Sequence, residues 1–510
     1  MKKKDRNRKD REQNWRENGQ NSQDRSRQSS TPQQKPQNST RSRKGGKEYV
    51  FVSYLFVAIF ISLVGYMVYF NTAMKDEVLN SPYNKRQNSA AERIVRGNIE
   101  SADGEVLAYT EVDAEGNETR VYPFGNTYAH VVGYFTNGKS GLESLANYQL
   151  LTSHEFIGDQ IWNELQGEKN LGDTVVTTLD ASLQTAAYNA LGDVNGAVVV
   201  MEPDTGKVLA MVSKPDYNPN TLAVDWDSIV SDENNSVLVN RATQGQYAPG
   251  STFKIVTALA YMREYGSLDG FSYYCEGEMT QQGHTIHCAN NNAHGEENLE
   301  NAFAYSCNCA FAQIGLNIGG SALNETSESL LFNKKLPIEL PYKKSSFELS
   351  DTSGAPLIMQ TSFGQGNTLT SPMHMAMIVS AIANNGDLMV PYYIDHVENV
   401  NGDVVSTTEP EEYAELMTAL EATRLQNLMT KVVDYGTATA LGRNGYSVAG
   451  KTGTAEYHTS DGTMGTNSWF VGYSSVEDPD IVVCVLVENS GSNGQTGTNV
   501  ALKIFDEYYY

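Results

Sequence analysis

Long hydrophobic runs are almost absent from the 510-residue sequence, which has one uncharged apolar stretch of membrane-spanning length, at residues 49–70. This pattern excludes a membrane protein with several spans. Basic residues are scarce beyond residue 48, where 22 Lys and Arg stand against 55 Asp and Glu. So acidic a remainder offers no large positive surface. The basic arm before it could in principle bind nucleic acid, but the apolar stretch that follows the arm favours another role, and we expect no nucleic-acid partner. The five cysteines are an odd number, which excludes complete pairing within the chain.

The N-terminal arm differs in composition from the rest of the chain. Residues 1–48 hold 15 Lys and Arg and 6 Asp and Glu, and they contain almost no apolar side chains. Such a segment cannot bury enough surface to offset the entropy lost on ordering. We therefore expect a disordered basic arm.

The apolar stretch at residues 49–70 predicts a membrane anchor. Its 22 residues are long enough, as a helix, to cross a hydrocarbon core of about 30 Å. A signal peptide normally has a shorter apolar region that ends at a small-residue cleavage site, and no good site is present here. We expect an uncleaved transmembrane helix. The basic residues before it predict a cytoplasmic N-terminus, with residues 71–510 outside the membrane.

Beyond the anchor, the sequence predicts two domains. Residues 71–172 favour a small, extended membrane-proximal domain, in which "RIVRGNIESADGEVLAYT" predicts two strands joined by a turn at Asp103–Gly104. The sequence pattern changes at Asp173, where the second domain, residues 173–510, begins. There "TVVTTLDASLQTAAYNAL" predicts a strand followed by a helix capped near Asp180. The next run, "GAVVVMEPDTGKVLAMVS", predicts a β-hairpin.

The order of elements in the second domain indicates its fold class. Helical patterns dominate from about Ser251 to Ala383. Strands return in "YSVAGKTGTAE", "NSWFVGYSSV" and "IVVCVLVEN", and "NVALKIFDEYYY" predicts a final helix. Strands at both ends of a domain favour one antiparallel sheet that is assembled from distant segments. The predicted class is therefore α+β, with an antiparallel sheet and a helical subdomain.

Three short motifs in this domain carry groups suited to nucleophilic chemistry. The first is Ser251-x-x-Lys254, the only Ser-x-x-Lys in the chain. If a helix begins at Gly250, both side chains lie on one face, where an amine can activate a hydroxyl. The second, Ser306-Cys307-Asn308, follows 55 residues later, and the third, Lys451–Thr454, a further 145 residues on. Each motif alone is weak, but their order and spacing together are specific.

With these motifs the sequence resembles the penicillin-binding proteins, whose transpeptidase domain carries Ser-x-x-Lys, Ser-x-Asn and Lys-Thr-Gly. "RGNIESADGEVLA" resembles the opening motif of the class B, monofunctional members, and "HVVGYFTNGKSGLES" is nearest to the penicillin-binding protein A group. The likeness covers nearly everything after residue 90. It implies a serine β-lactamase-like transpeptidase fold and a membrane-anchored peptidoglycan D,D-transpeptidase of cell-wall synthesis.

The resemblance also implies catalytic roles for four residues. Ser251 would attack the carbonyl between the two D-alanines of a stem peptide and form an acyl-enzyme. Lys254, as a neutral amine, would take the serine proton. Ser306 would relay a proton to the departing amine, and Lys451 would contribute a positive field.

Four further residues are expected to bind substrate. Asn308 would hydrogen-bond the amide backbone of the stem peptide. The hydroxyls of Thr452 and Thr454 would bind its terminal carboxylate, and Gly453 would permit close backbone approach on the strand. The backbone N–H groups of Ser251 and Thr454 would form the oxyanion hole.

The implied partners are stem peptides as donor and acceptor, β-lactams that acylate Ser251, and a membrane glycosyltransferase of the wall-synthesis machinery. The resemblance implies no cofactor and no metal. A D,D-carboxypeptidase uses the same residues and stays an alternative, as does a membrane-anchored sensor of β-lactam or wall peptide. A β-lactamase is disfavoured, because no Glu-x-x-Leu-Asn run follows Ser306.

The cysteines leave an open question. Cys275 and Cys288 could close a loop in "CEGEMTQQGHTIHC". Nearby histidines raise the possibility of zinc: His284, His287 and His294. The spacing matches no standard zinc pattern, which favours a disulfide or two free thiols. Cys307 and Cys309 are expected to be packing residues.

Overall fold

The computed structural model describes residues 46–70, 72, 92–232, 236–350, 352–442, 445–458 and 462–510. The expected disordered arm lies outside the described residues except for its last three. Those three belong to helix α1, Gly46–Tyr69, which begins slightly before the predicted start. Its segment Tyr49–Tyr69 is, among the described residues, the one helix long and apolar enough to cross a membrane. Helix α1 belongs to a unit separate from the rest of the chain.

Nineteen strands are found in the described part of the chain. In order, β1 to β19 are Ile94–Val95, Ile99–Glu100, Val106–Val112, Glu118–Val121, Asn170–Leu171, Thr174–Thr177, Gly196–Met201, Val208–Lys214, Tyr273–Cys275, Glu278–Gln281, His284–His287, Gly295–Glu297, Asp387–Met389, Ile394–Glu398, Val404–Thr407, Glu412–Glu415, Val448–His458, Met464–Ser474 and Val482–Val487.

The α-helices that follow α1 in the described residues are numbered in the same way. Helices α2 to α14 are Gly141–Leu145, Asn147–Leu150, Ile157–Gln166, Ala181–Leu191, Leu222–Ser231, Lys254–Tyr265, Leu299–Ala304, Asn308–Ser329, Ala355–Ser362, Pro372–Ala383, Ala419–Asp434, Ser490–Asn493 and Gly497–Tyr509. Short 3-10 turns occupy Gly125–Tyr128, Gly250–Phe253, Ala289–Asn291 and Thr439–Leu441.

A five-stranded antiparallel sheet forms the centre of the second domain, in the order β17-β18-β19-β7-β8. It joins strands from both ends of the domain, as the sequence predicts. Every residue of β7, β8 and β19 is buried, because helices cover the sheet: α5 and α14 pack together against it, and the fully buried α11 also packs on it. Strand β17 lies at one edge.

A second, mixed sheet of six strands has the order β15-β14-β6-β2-β3-β4. Strands β2 and β3 are the predicted pair around Asp103–Gly104, and Gly104 N donates to Ser101 O at 3.1 Å in the turn. Strand β6 pairs in parallel with β2 and antiparallel with β14. This sheet therefore contains strands from both sides of residue 172.

The helical subdomain is built from α7, α8, α9, α10 and α12. Helix α7 packs on α9, α9 on α10, and α12 on both α8 and the edge strand β17. Two small antiparallel pairs, β9 with β12 and β10 with β11, lie between α7 and α8 in the chain. The described structure thus has the predicted α+β class, with an antiparallel sheet and a helical subdomain.

Candidate functional site

The first motif lies where a 3-10 turn, Gly250–Phe253, continues directly into α7. Residues three apart eclipse each other in such a turn, so Ser251 and Lys254 share one face, as predicted. Ser251 is half-buried, whereas Lys254 is fully buried. Gly250 has φ +54°, and a Cβ there would lie 2.5 Å from Thr454 O. Glycine therefore lets the turn approach the third motif closely.

The second motif lies in the sharp connection between α8 and α9. Cys307 N donates to Ala302 O at 2.8 Å and Ser306 N to Phe303 O at 3.2 Å, the hydrogen-bond pattern of a Schellman motif. Ser306 takes the left-handed position with φ +60°, which glycine usually occupies and which a functional site can hold under strain. Asn308 is then the first residue of α9.

The third motif occupies the edge strand β17. Side chains alternate along a strand: Lys451 and Gly453 are buried, whereas Thr452 is half-buried and Thr454 is exposed. A Cβ on Gly453 would lie 2.9 Å from Thr252 Cγ2. The strand and the turn of the first motif are therefore in direct contact through two glycines.

Two lysine amines meet at one hydroxyl. Lys254 Nζ donates to Ser306 Oγ at 3.1 Å, to Ser306 O at 2.6 Å and to Asn308 Oδ1 at 2.8 Å. Lys451 Nζ donates to Ser306 Oγ at 3.0 Å and to Thr452 O at 3.1 Å. All three motifs thus converge on Ser306. Within the described part of the chain, no hydrogen bond involves the hydroxyl of Ser251.

Burial changes the protonation of both amines. It lowers the pKa of Lys254 to about 7, an effect only partly opposed by electrostatic interaction with the neighbouring cysteine sulfurs. Burial, together with the charge of Lys254, lowers the pKa of Lys451 well below its usual value. Two ammonium groups around one hydroxyl repel each other, so the pair readily gives up a proton near neutral pH. Shifts of this kind are typical of functional sites.

Two contacts in the site escaped the sequence prediction. Thr437 Oγ1 lies 2.5 Å from Thr452 Oγ1, and Thr437 N donates to Ala304 O at 3.2 Å. Asn308 Nδ2 donates to His287 O at 3.0 Å. Thr437 lies in the loop after α12, and its only sequence signal is its place shortly before the third motif.

Most cysteines of the chain gather beside the second motif. Cys275 and Cys288 are free thiols with their Sγ atoms 3.6 Å apart, so the disulfide that was one expectation is not formed in the structure. Cys307 Sγ and Cys309 Sγ lie 3.7 and 3.5 Å from Cys288 Sγ. The fifth, Cys484, is buried in β19, away from this group.

The three histidines near these cysteines separate in the structure. His294 Nδ1 lies 3.5 Å from Cys275 Sγ. His284 Nε2 lies 3.0 Å from Gln360 Nε2, and His287 Nδ1 lies 3.6 Å from a carboxylate oxygen of Glu278. Only His294 therefore faces the sulfur atoms.

Two protein families match the chain. The penicillin binding protein transpeptidase domain matches residues 196–509, and the penicillin binding protein A dimerisation domain matches residues 96–175. The peptidoglycan D,D-transpeptidase PbpA of Mycolicibacterium smegmatis is 30% identical over 446 residues, which cover 80% of this chain and 87% of the relative. Penicillin-binding protein 3 of Bacillus subtilis is 29% identical over 78% of this chain and 64% of its own length.

Solved structures give the same result. The D,D-transpeptidase domain of a peptidoglycan glycosyltransferase from Eggerthella lenta is 32% identical with a TM-score of 0.73, covering 82% of this chain and 98% of that one. Penicillin-binding protein A of M. tuberculosis, as its imipenem acyl-enzyme, is 27% identical with a TM-score of 0.72, covering 82% and 99%. These likenesses confirm the resemblance to the class B members and to the penicillin-binding protein A group. The chain belongs to the penicillin-binding protein transpeptidase family.

Proposed function

We propose that this chain is a peptidoglycan D,D-transpeptidase that cross-links stem peptides through an acyl-enzyme on Ser251, and that β-lactams acylate the same serine. The observation that carries the proposal is the convergence of two buried amines, from Lys254 and Lys451, on the hydroxyl of Ser306 beside the turn that holds Ser251. The mycobacterial relative named as a D,D-transpeptidase and the imipenem acyl-enzyme of penicillin-binding protein A support the same chemistry.

The acylation step forms one bond and breaks another. Ser251 Oγ bonds to the carbonyl carbon of the penultimate D-alanine as its proton passes to the neutral amine of Lys254. The C–N bond to the terminal D-alanine then breaks, and this residue leaves as an amine after it receives a proton. Ser306 Oγ hydrogen-bonds both amines, which suits it to carry that proton. A second stem-peptide amine then attacks the ester and releases Ser251.

The negative charge that develops on the carbonyl oxygen has two sources of stabilisation. Ser251 lies at the N-terminal end of a helical segment, where the helix dipole favours negative charge. Gly250 and Thr454 are in backbone contact, so the N–H groups of Ser251 and Thr454 are suited to form the oxyanion hole. Loss of one such donor typically lowers the rate about 10²–10³-fold.

When substrate binds, the amine of Lys451 stays protonated and the amine of Lys254 is neutral. Thr452 and Thr454, two apart on β17, offer hydroxyls to the terminal carboxylate of the stem peptide. That carboxylate, close to Lys451, raises the pKa of its amine and keeps it charged. Lys254 is then the amine that loses its proton and acts as base. Asn308 keeps free hydrogen-bonding capacity beyond its contacts to Lys254 and His287, and it is suited to the peptide amide.

The anchor and the domains complete the proposal. Helix α1 crosses the membrane once, and the basic residues before it place residues 1–48 in the cytoplasm and residues 71–510 outside. Residues 71–172 then form the membrane-proximal domain, and residues 173–510 the transpeptidase domain. Because cross-linking requires glycan strands, a membrane glycosyltransferase is the expected partner.

The deciding experiment is intact-mass spectrometry of the full-length protein after incubation with a penicillin. We expect one stable penicillin adduct on the unmodified protein and none on Ser251→Ala. Ser228→Ala, which changes an exposed serine in α6, is the matched control and should keep the adduct. An adduct on Ser251→Ala, or an intact penicillin and no adduct on the unmodified protein, would contradict the proposal.

A second measurement separates the transpeptidase from its alternatives. A stem-peptide analogue that ends in D-Ala-D-Ala is supplied together with an acceptor amine, and the products are weighed. A transpeptidase joins the two peptides and releases D-alanine. A carboxypeptidase releases D-alanine without joining them, and a sensor is acylated but turns over neither.

A further inference from the structure

Four buried or half-buried side chains with sulfur or nitrogen donors meet beside the second motif. We call them the thiol–imidazole cluster, and they are Cys275, Cys288, His294 and Cys307. Each offers one ligand atom, and these four atoms all lie within 4.8 Å of one another. Cys275 ends β9, Cys288 directly follows β11, His294 directly precedes β12 and Cys307 caps α9. Four separate elements therefore meet at one point.

Three of the distances within the cluster fit a tetrahedral metal site, and all of them are within 4.8 Å. Zinc binds cysteine sulfur at about 2.3 Å and histidine nitrogen at about 2.0–2.1 Å, so a tetrahedral site separates two sulfurs by about 3.8 Å and sulfur from nitrogen by about 3.5 Å. The observed Sγ separations are 3.6 Å for Cys275 with Cys288 and 3.7 Å for Cys288 with Cys307. His294 Nδ1 lies 3.5 Å from Cys275 Sγ. A disulfide needs about 2.0 Å between sulfurs.

Backbone N–H groups around the cluster donate hydrogen bonds to two of its sulfur atoms, and such bonds favour thiolates. Gly277 N donates to Cys275 Sγ and Ala310 N donates to Cys307 Sγ, each at 3.4 Å. The turn that supplies the first bond depends on Gly277, with φ +94°, where a Cβ would lie 2.6 Å from Asn291 O. Hydrogen bonds of this kind orient and stabilise ligands around a bound metal.

We propose that the thiol–imidazole cluster binds one Zn²⁺ ion as a closed, four-coordinate structural site. Three thiolates and one imidazole in a tetrahedral arrangement select zinc among the common biological metals. On binding, three thiols lose their protons to solvent, and the ion takes the place of S–H contacts. The spacing of the ligands along the chain matches no standard zinc pattern because the ligands come from four different elements.

The site has a direct structural connection to catalysis. Cys307 stands between Ser306 and Asn308, and Lys254 Nζ bonds to both neighbours. Cys288 follows His287, whose carbonyl accepts from Asn308 Nδ2. A metal that fixes Cys288 and Cys307 therefore holds the strained second motif in position. The ion itself touches no substrate, so the cluster residues are positioning residues.

The test measures the zinc content of the full-length protein, purified without chelator, by elemental mass spectrometry. We expect one zinc per chain. The variants Cys275→Ala and His294→Ala should lose the metal, and His294 is only half-buried. Cys484→Ala in β19 is the matched control and should keep the metal. If Cys275→Ala fails to fold, His294→Ala and chelation of the unmodified protein still decide the matter.

Acylation by a fluorescent penicillin provides the second readout. Removal of zinc by a chelator should slow acylation by about 10–100-fold, and added Zn²⁺ should restore it. Any of three results would overturn the proposed ligand set. They are no zinc in the unmodified protein, a mass measured without reductant that shows a Cys275–Cys288 disulfide, and zinc retained by His294→Ala. Since a zinc-free protein can still be acylated on Ser251, failure of this inference is distinguishable from failure of the proposed function.

Discussion

At the scale of single residues, Ser306 is the centre of the site. Its left-handed backbone holds its hydroxyl between the amines of Lys254 and Lys451. A non-glycine residue in that conformation is strained, by about 1–3 kcal/mol at such sites, and the surrounding hydrogen bonds keep it there. The strained residue is thus the one that both amines contact.

The protonation of Lys254 makes the acylation rate depend on pH. Burial lowers its pKa to about 7, so its neutral form, which can accept the Ser251 proton, is lost as pH falls through that value. We expect the rate of acylation by a fluorescent penicillin to rise with pH and to reach half its maximum near pH 7. Because the two amines share a hydroxyl, the midpoint belongs to the pair.

The pH profile needs two controls. Circular dichroism at each pH shows that the fold is unchanged, and the hydrolysis of free penicillin is measured in parallel. A flat profile, or a midpoint close to the usual lysine value of about 10.4, would contradict a neutral Lys254 as base.

At the scale of elements, the site depends on the close approach of a helix start to an edge strand. Gly250 contacts Thr454 where the 3-10 turn meets β17, and Gly453 contacts Thr252 from the other side. Neither contact leaves room for a side chain. The distance between Ser251 and the strand that would bind substrate is therefore set by two glycines.

Alanine substitution tests this contact, and the same helix offers its own control. Gly250 begins the 3-10 turn that leads into α7, and Gly266 directly follows the end of α7. Both have positive φ, +54° and +72°, but a Cβ at Gly266 meets nothing within 4 Å. Both alanine variants should lose about 1–2 kcal/mol of stability from the left-handed backbone. Only Gly250→Ala should also slow acylation, by up to about 10²-fold, because it displaces Ser251 from β17.

Thermal unfolding and acylation rates of the two variants provide the measurement. Equal acylation by Gly250→Ala and Gly266→Ala would show that the approach of the turn to β17 does not matter for the reaction.

At the scale of the whole molecule, the sequence predicts those elements that neighbouring residues form by themselves. The Asp180 cap of α5, the hairpin of β7 and β8 and the three C-terminal strands are all present. The mixed sheet was not predicted, because strands of two to seven residues pair across distant parts of the chain. The convergence of both amines on Ser306 and the gathering of the cysteines also depend on such tertiary contacts, which no local spacing reveals.

The mixed sheet also makes a prediction about stability. Ile99 in β2 is fully buried and pairs with Val175 in β6, and Gln184 of α5 donates to Thr127 O at 2.8 Å. Such contacts couple residues 92–172 to the transpeptidase domain, so both should unfold together. Ile99→Ala should lower the free energy of unfolding by about 2–5 kcal/mol and shift one transition, seen equally by tryptophan fluorescence and by loss of penicillin acylation.

Ile161→Ala is the control for this prediction, because Ile161 lies in the same segment but is 53% exposed. It should leave the transition within about 0.5 kcal/mol of its original position. The native fluorescence and the acylation could instead be lost in two separate transitions, of which Ile99→Ala shifts only the first. That result would show that residues 92–172 are an independent unit. A single shared transition follows from the sheet, since loss of β2 leaves β6 with an unpaired edge inside the fold that supports the site.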